Sequence, residues 1–268
     1  MLLALTRAVS PTLAECELTH LERQPIDVEA AARQHAGYEA ALEALGVEVV
    51  RVPPAPDLPD AVFVEDTAVV LDEVAVMALP GAPSRRAETP AVAETLSAYR
   101  PLLHLTPPAT LDGGDVLVVG RTAYIGLSTR TNREAADQLT SKLTPMGYRV
   151  SAVEFQGCLH LKSAVTRIDE DLLLLNPKWV SRDAFQGLKA LSIAADEPLA
   201  ANALWCGGSI VYPAQFPRTA ERLSRRGINV VPLDCSELAK AEGGVTCCSI
   251  LFSVPGEHPS GANREQSP

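Results

Sequence analysis

The chain has 268 residues, 47% of them hydrophobic and only 4% aromatic, so it can bury a large core made mainly of aliphatic and alanine side chains. Its 33 acidic against 23 basic residues leave a net charge of −10, which argues against a nucleic-acid partner and suits a cationic small molecule. No run of ~18 uninterrupted apolar residues occurs, so no membrane partner or membrane-spanning helix is expected.

The segment Met1–Arg7 is apolar but lacks a basic leader and a cleavage site, and it reads as a first buried strand. An irregular stretch, 14–20, follows. A helical stretch from Tyr38 stops at Gly46, and Val47–Val52 has strand composition. Val62–Leu71 and Val74–Leu79 form a pair of strands joined around Asp72-Glu73. Asp115–Val119 and Ala123–Leu127 repeat the pair around Gly120-Arg121; a helix from Ala135 to Gly147 then leads into Tyr148–Val150. Ala164–Ile168 and Leu172–Leu175 pair around Asp169-Glu170-Asp171, and Ala220–Gly227 delivers a helix into Ile228–Val231.

The recurring unit is strand–strand–helix–strand, in about five copies at a spacing within the range of repeat architectures. That predicts an α/β fold in which repeated units surround a central cavity. An ordinary α/β sandwich is the alternative, and the hairpins argue against it, because an all-parallel sheet has no adjacent antiparallel pairs. Residues 1–254 are expected to form one catalytic domain and the polar tail 255–268 to be disordered. Six cysteines show no CxxC spacing and no dense framework. They read as reduced thiols of a cytoplasmic protein without a metal site.

Four segments place polar residues in otherwise apolar runs. Glu65-Asp66 puts two carboxylates inside an apparent strand, where alternation would turn one into a cavity and the other towards neighbouring backbone; a strand end at Asp66 explains the pair as well. Asp112-Gly113-Gly114-Asp115 reads first as a turn. His160, in the run Leu159–Val165, reads alone as a satisfied core histidine. Cys247-Cys248 lies in a final β-run, with one thiol expected on each face. Together, a cysteine, a histidine and several carboxylates suggest nucleophilic catalysis on a planar cation such as guanidinium. A thiol so surrounded should resist ionisation until a cationic substrate binds.

Six motifs in order carry a resemblance: Phe63-Val64-Glu65-Asp66, Pro80 to Arg86, Leu111 to Leu117, Gly126 to Asn132, His160-Leu161-Lys162-Ser163 and Thr246-Cys247-Cys248-Ser249. They are similar to those of the dimethylarginine dimethylaminohydrolases, of the guanidino-group modifying superfamily, from the first strand to about Phe252. The resemblance implies a five-bladed α/β propeller, no cofactor, and hydrolysis of Nω-methylated L-arginine to L-citrulline and an amine. It also implies Cys247 as nucleophile, His160 as acid–base and Asp112 as the carboxylate beside it, where some relatives carry Glu. Asp66 would grip the guanidinium, Glu65 support the cysteine, Asp60 receive the α-ammonium, and Arg85 and Arg130 the α-carboxylate. Leu18 would belong to a lid. Faces of such propellers can pair as homodimers. An arginine deiminase-like enzyme acting on unmethylated arginine, or a silent guanidino-ligand binder, are the rival readings.

Overall fold

The computed structural model describes residues 1–254; the tail whose disorder was expected, 255–268, lies outside the described residues. In chain order the strands are β1 Leu2–Thr6, β2 Glu48–Arg51, β3 Ala68–Val70, β4 Ala75–Met77, β5 Leu102–His104, β6 Val116–Val119, β7 Thr122–Leu127, β8 Arg149–Glu154, β9 Val165–Arg167, β10 Leu172–Leu175, β11 Lys189–Ser192, β12 Leu204–Cys206, β13 Ser209–Pro213, β14 Asn229–Leu233 and β15 Ile250–Ser253. The helices are α1 Val28–Ala44, α2 Thr89–Ser97, α3 Arg133–Leu143, α4 Leu161–Ala164, α5 Pro217–Ser224 and α6 Ser236–Ala239.

These strands make five three-stranded sheets of one pattern, in which an antiparallel pair is extended by a parallel third strand. In four of the sheets a tight turn joins the antiparallel pair. The parallel strand needs a crossover, supplied by α1, α2, α3 and α5 in four sheets and by the short 3-10 turn Arg182–Phe185 in the remaining one. The helices are set by local signals. Asp27 caps α1 by accepting from Ala30 N–H at 2.9 Å, and Gly46 stops it with φ +79°. The first sheet departs from simple repetition. Its antiparallel partner for β1 is β15, from the far end of the chain.

The apolar side chains form five clusters, each shared by two neighbouring sheets. Leu3 and Leu5 pack with Val64 and Met77, Val76 with Val116 and Ile125, Tyr124 with Leu173, Leu174 with Ile210, and Val211 with Ala4 and Val47. Sheet contacts sheet all the way round, so the five units close a ring, the five-bladed α/β propeller. The inner strands β3, β6, β12 and β15 line a central cavity of about 190 Å³.

Two expected strands are shorter than their composition suggested. Val62–Leu71 is not one strand: Val64–Thr67 is a 3-10 turn and β3 begins at Ala68. The turn lets Glu65 N–H reach the carbonyl of Cys247 at 3.2 Å, so alternation does not apply to Glu65 and Asp66 and both side chains are buried. Cys247 and Cys248 likewise precede the last strand, in a turn closed by Cys247 N–H on Gly244 O at 3.2 Å. His160 is not in a strand either; it stands just before the short helix α4.

Candidate active site

Propeller symmetry explains where the chemistry collects. Each inner strand starts at the same end of the ring, so the residues just before it converge on the axis. Asp66 precedes β3, Asp112 and Asp115 precede β6, His160 and Lys162 precede β9, Asn202 precedes β12, and Thr246 and Cys247 precede β15. All but Lys162 are buried. Cys247, His160, Asp66, Asp60, Arg85 and Arg130 line one cavity of about 20 Å³, together with Glu17 and Glu242.

His160 stands between two carboxylates. Its Nε2 is 3.1 Å from Asp112 Oδ2, and its Nδ1 is 3.6 Å from Asp66 Oδ1. Burial favours the neutral ring, but Asp66, the hydrogen bond to Asp112 and the charge of Asp115 win and hold the imidazole at about 9. Burial would likewise push Asp66 up, yet His160, Arg85 and the N–H of Gly114 keep its carboxyl at about 2. Histidine and aspartate are therefore charged together at neutral pH. The Cys247 thiol goes the other way. Burial first, then the charges of Glu65 and Asp66, push it far above an ordinary thiol, and Gly244 N–H (3.3 Å from Sγ) and Lys162 offset only part.

A second layer fixes these groups. Gly114 N–H donates to Asp66 Oδ1 at 2.9 Å; a Cβ on Gly114 would sit 2.6 Å from that oxygen and 2.7 Å from His160 Nδ1, so only glycine fits. Asp115 accepts from Leu161 N–H at 2.9 Å and from Ser128 Oγ at 2.6 Å, anchoring the turn that presents His160. Beneath the cysteine, Glu65 pairs with Lys162 at 2.7 Å and accepts from Thr246 Oγ1 at 2.7 Å, while Asn202 Nδ2 donates to Thr246 Oγ1 at 3.0 Å.

The residues expected for the amino-acid end are nearby but already engaged. Asp60 accepts from Glu17 N–H at 3.1 Å. Arg130 donates to Thr19 Oγ1 at 3.1 Å and lies 3.9 Å from Asp112. Arg85 spends most of its guanidinium on Glu88 (2.8 and 3.0 Å), Asp66 (2.5 Å) and the carbonyls of Asp60 and Phe63. Leu18 is half-buried against the neighbouring apolar cluster and does not line the cavity; its chain neighbours Glu17 and Thr19 make the contacts to the site. Sequence reasoning missed Glu88, Asn202 and Glu242. Only Glu88 left a signal, an acid three residues beyond Arg85 in a helical stretch.

Among the described residues one group has the spacing of a metal site: Asp66, Asp112 and His160, with ligand atoms within 4.8 Å of one another. The same three side chains are tied up with one another, both ring nitrogens of His160 facing a carboxylate, and Arg85 and Arg130 add positive charge beside both carboxylates. This balance suits a planar organic cation held by carboxylates, with a thiol behind it.

The profile of the N,N dimethylarginine dimethylhydrolases of eukaryotes matches residues 17–189. The N(G),N(G)-dimethylarginine dimethylaminohydrolase of Streptomyces coelicolor is 41% identical over 249 residues, covering 92% of this chain and 95% of the relative. The Pseudomonas aeruginosa enzyme of the same name is 37% identical over 228 residues, covering 84% and 90%. A solved structure of the Pseudomonas aeruginosa protein, a cysteine-to-serine variant complexed with citrulline, superposes with a TM-score of 0.89 at 34% identity, over 93% of this chain and 98% of that one. On the strength of these matches along most of its length, the chain belongs to the dimethylarginine dimethylaminohydrolase family.

Proposed function

We propose that this enzyme hydrolyses Nω-methylated L-arginine to L-citrulline and dimethylamine or methylamine, with Cys247 as nucleophile, His160 as acid and base, and no cofactor. The observation that carries the reading is the convergence of the buried Cys247 thiol, the His160 imidazole and the Asp66 carboxylate on one small cavity. Relatives named for this reaction, and a related structure holding citrulline, support it.

The chemistry follows from the charges. A guanidinium entering beside Asp66 adds positive charge next to Cys247, which lowers the cost of losing the thiol proton to water. The thiolate adds to the guanidinium carbon, and His160 gives its proton to the methylated nitrogen as that C–N bond breaks. The amine departs, and a cationic S-alkylthiouronium remains on Cys247. His160, now neutral, takes a proton from water as the oxygen adds to the same carbon. The C–S bond then breaks as the hydroxyl proton passes to the departing sulfur, so citrulline forms its urea carbonyl and the thiol is regenerated. Asp112 keeps the imidazole oriented through both halves.

At the other end of the substrate, Asp60 receives the α-ammonium and Arg130 the α-carboxylate, assisted by the one Nη1 N–H that Arg85 has left over. Six free cysteines suit a reducing cytoplasm. Product analysis with asymmetric dimethylarginine and with arginine tests the reading. Citrulline and dimethylamine from the wild type but not from Cys247→Ser are expected, and normal turnover by that variant would refute the nucleophile.

A further inference from the structure

We propose that Glu242 is a positioning residue of this site: its carboxylate clasps the segment 17–21 to the loop that carries Cys247, and so sets how often the site opens. The inference rests on the site assigned under Proposed function. Oε1 of Glu242 accepts from three consecutive backbone N–H groups, Thr19 at 3.1 Å, His20 at 2.5 Å and Leu21 at 2.6 Å, and Oε2 shares Thr19 at 3.1 Å. Bonds from N–H to a carboxylate are the stronger kind, and here they join residues more than 220 positions apart.

Glu242 is also the one non-glycine residue, among the described residues, with a left-handed backbone, φ +58°. A side chain is retained in that conformation when surrounding contacts over-determine it. The clasp is such a contact. Glycine would suit the backbone better but could not hold the segment.

The held segment closes the cavity. Glu17 lines it, Glu17 N–H binds Asp60, Thr19 Oγ1 accepts from Arg130, and the Glu17 carboxylate accepts from Ser84 Oγ at 2.6 Å. The space left, about 20 Å³, holds a water molecule and not an amino acid. Substrate entry therefore requires the segment to lift, and lifting must release three N–H groups from one carboxylate. Because Glu242 sits five residues before Cys247, the same side chain that closes the lid steadies the nucleophile loop.

Glu242→Gly and Glu242→Gln test this, the first keeping a compatible backbone and the second keeping an uncharged acceptor. Two readouts need no substrate: amide hydrogen exchange at Thr19–Leu21, and the rate at which iodoacetamide alkylates Cys247, followed on its own peptide. In Glu242→Gly, both are expected to rise roughly fivefold or more, with Glu242→Gln intermediate. With substrate, KM rises by more than kcat falls. Unchanged exchange and alkylation in a folded Glu242→Gly protein would overturn the proposal. Inactivity of the wild type on methylated arginines would refute the substrate reading and leave these two measurements standing.

Discussion

Asp66 is paired with Arg85 at 2.5 Å before any substrate is present, and both side chains are buried. The carboxylate proposed to meet the substrate is thus already held in its charged form by a residue of the protein. Breaking a buried pair leaves a charge without compensation, which is costlier than never having built the pair.

Arg85→Met should therefore destabilise the fold by about 3–5 kcal/mol in urea unfolding, because Glu88 loses its counter-ion and Asp66 keeps only His160. A loss below about 1 kcal/mol would show that the pair is not structural. The pH sign is fixed by the depressed carboxyl. Asp66 contributes stability that is present above its ordinary value of 3.8 and is lost as pH falls through about 2. In Arg85→Met that acid transition moves to higher pH.

His160 has the opposite linkage. Its folded value, about 9, lies above the ordinary 6.5, so its stabilising contribution is complete below 6.5 and disappears as pH rises through about 9. The acid form is also the form proposed to protonate the leaving amine, so kcat/KM should decline on the alkaline side near the same value. Asp112→Asn removes a hydrogen-bonded charge from Nε2 and should move that limb to lower pH, with kcat reduced about 10²–10⁴-fold through loss of ring orientation. Ring titration of His160 by NMR checks the first part independently of turnover. A limb that stays in place in Asp112→Asn would count against His160 as the titrating acid.

Gly114→Ala asks how tightly the pair is set. One methyl group would meet Asp66 Oδ1 and His160 Nδ1 at under 3 Å, so both must shift by several tenths of an ångström. Activity should fall about 100-fold, since misplacement of that order is what separates productive from idle geometry. Unaltered kcat in this variant would mean that the observed His160–Asp66 spacing is irrelevant to the chemistry.

Much of the fold was legible because its units are local. The hairpins at Asp72-Glu73, Gly120-Arg121 and Asp169–Asp171 carry their own turn residues, and each is an antiparallel pair in the structure. What local pattern could not express is pairing across the chain: nothing in Leu2–Thr6 announces Ile250–Ser253 as its partner. The Glu65-Asp66 and Cys247-Cys248 segments misled for a different reason. Val, Phe and Cys look the same in a strand and in a buried turn, and only the cross-connection of Glu65 N–H to Cys247 O distinguishes them. The convergence of Cys247 and His160 followed from motif order, whereas Lys162 beneath Glu65 and Glu242 over Thr19 depend on contacts that no spacing reveals.

The pairing of β1 with β15 also governs when this enzyme can come into being. During translation the first blade waits, one edge bare, until the strands of the other four blades have been made. Cys247, the proposed nucleophile, emerges only a few residues ahead of that closing strand. A nascent chain can thus shape most of its blades while still chemically inert, and the step that seals the circle is the one that arms it.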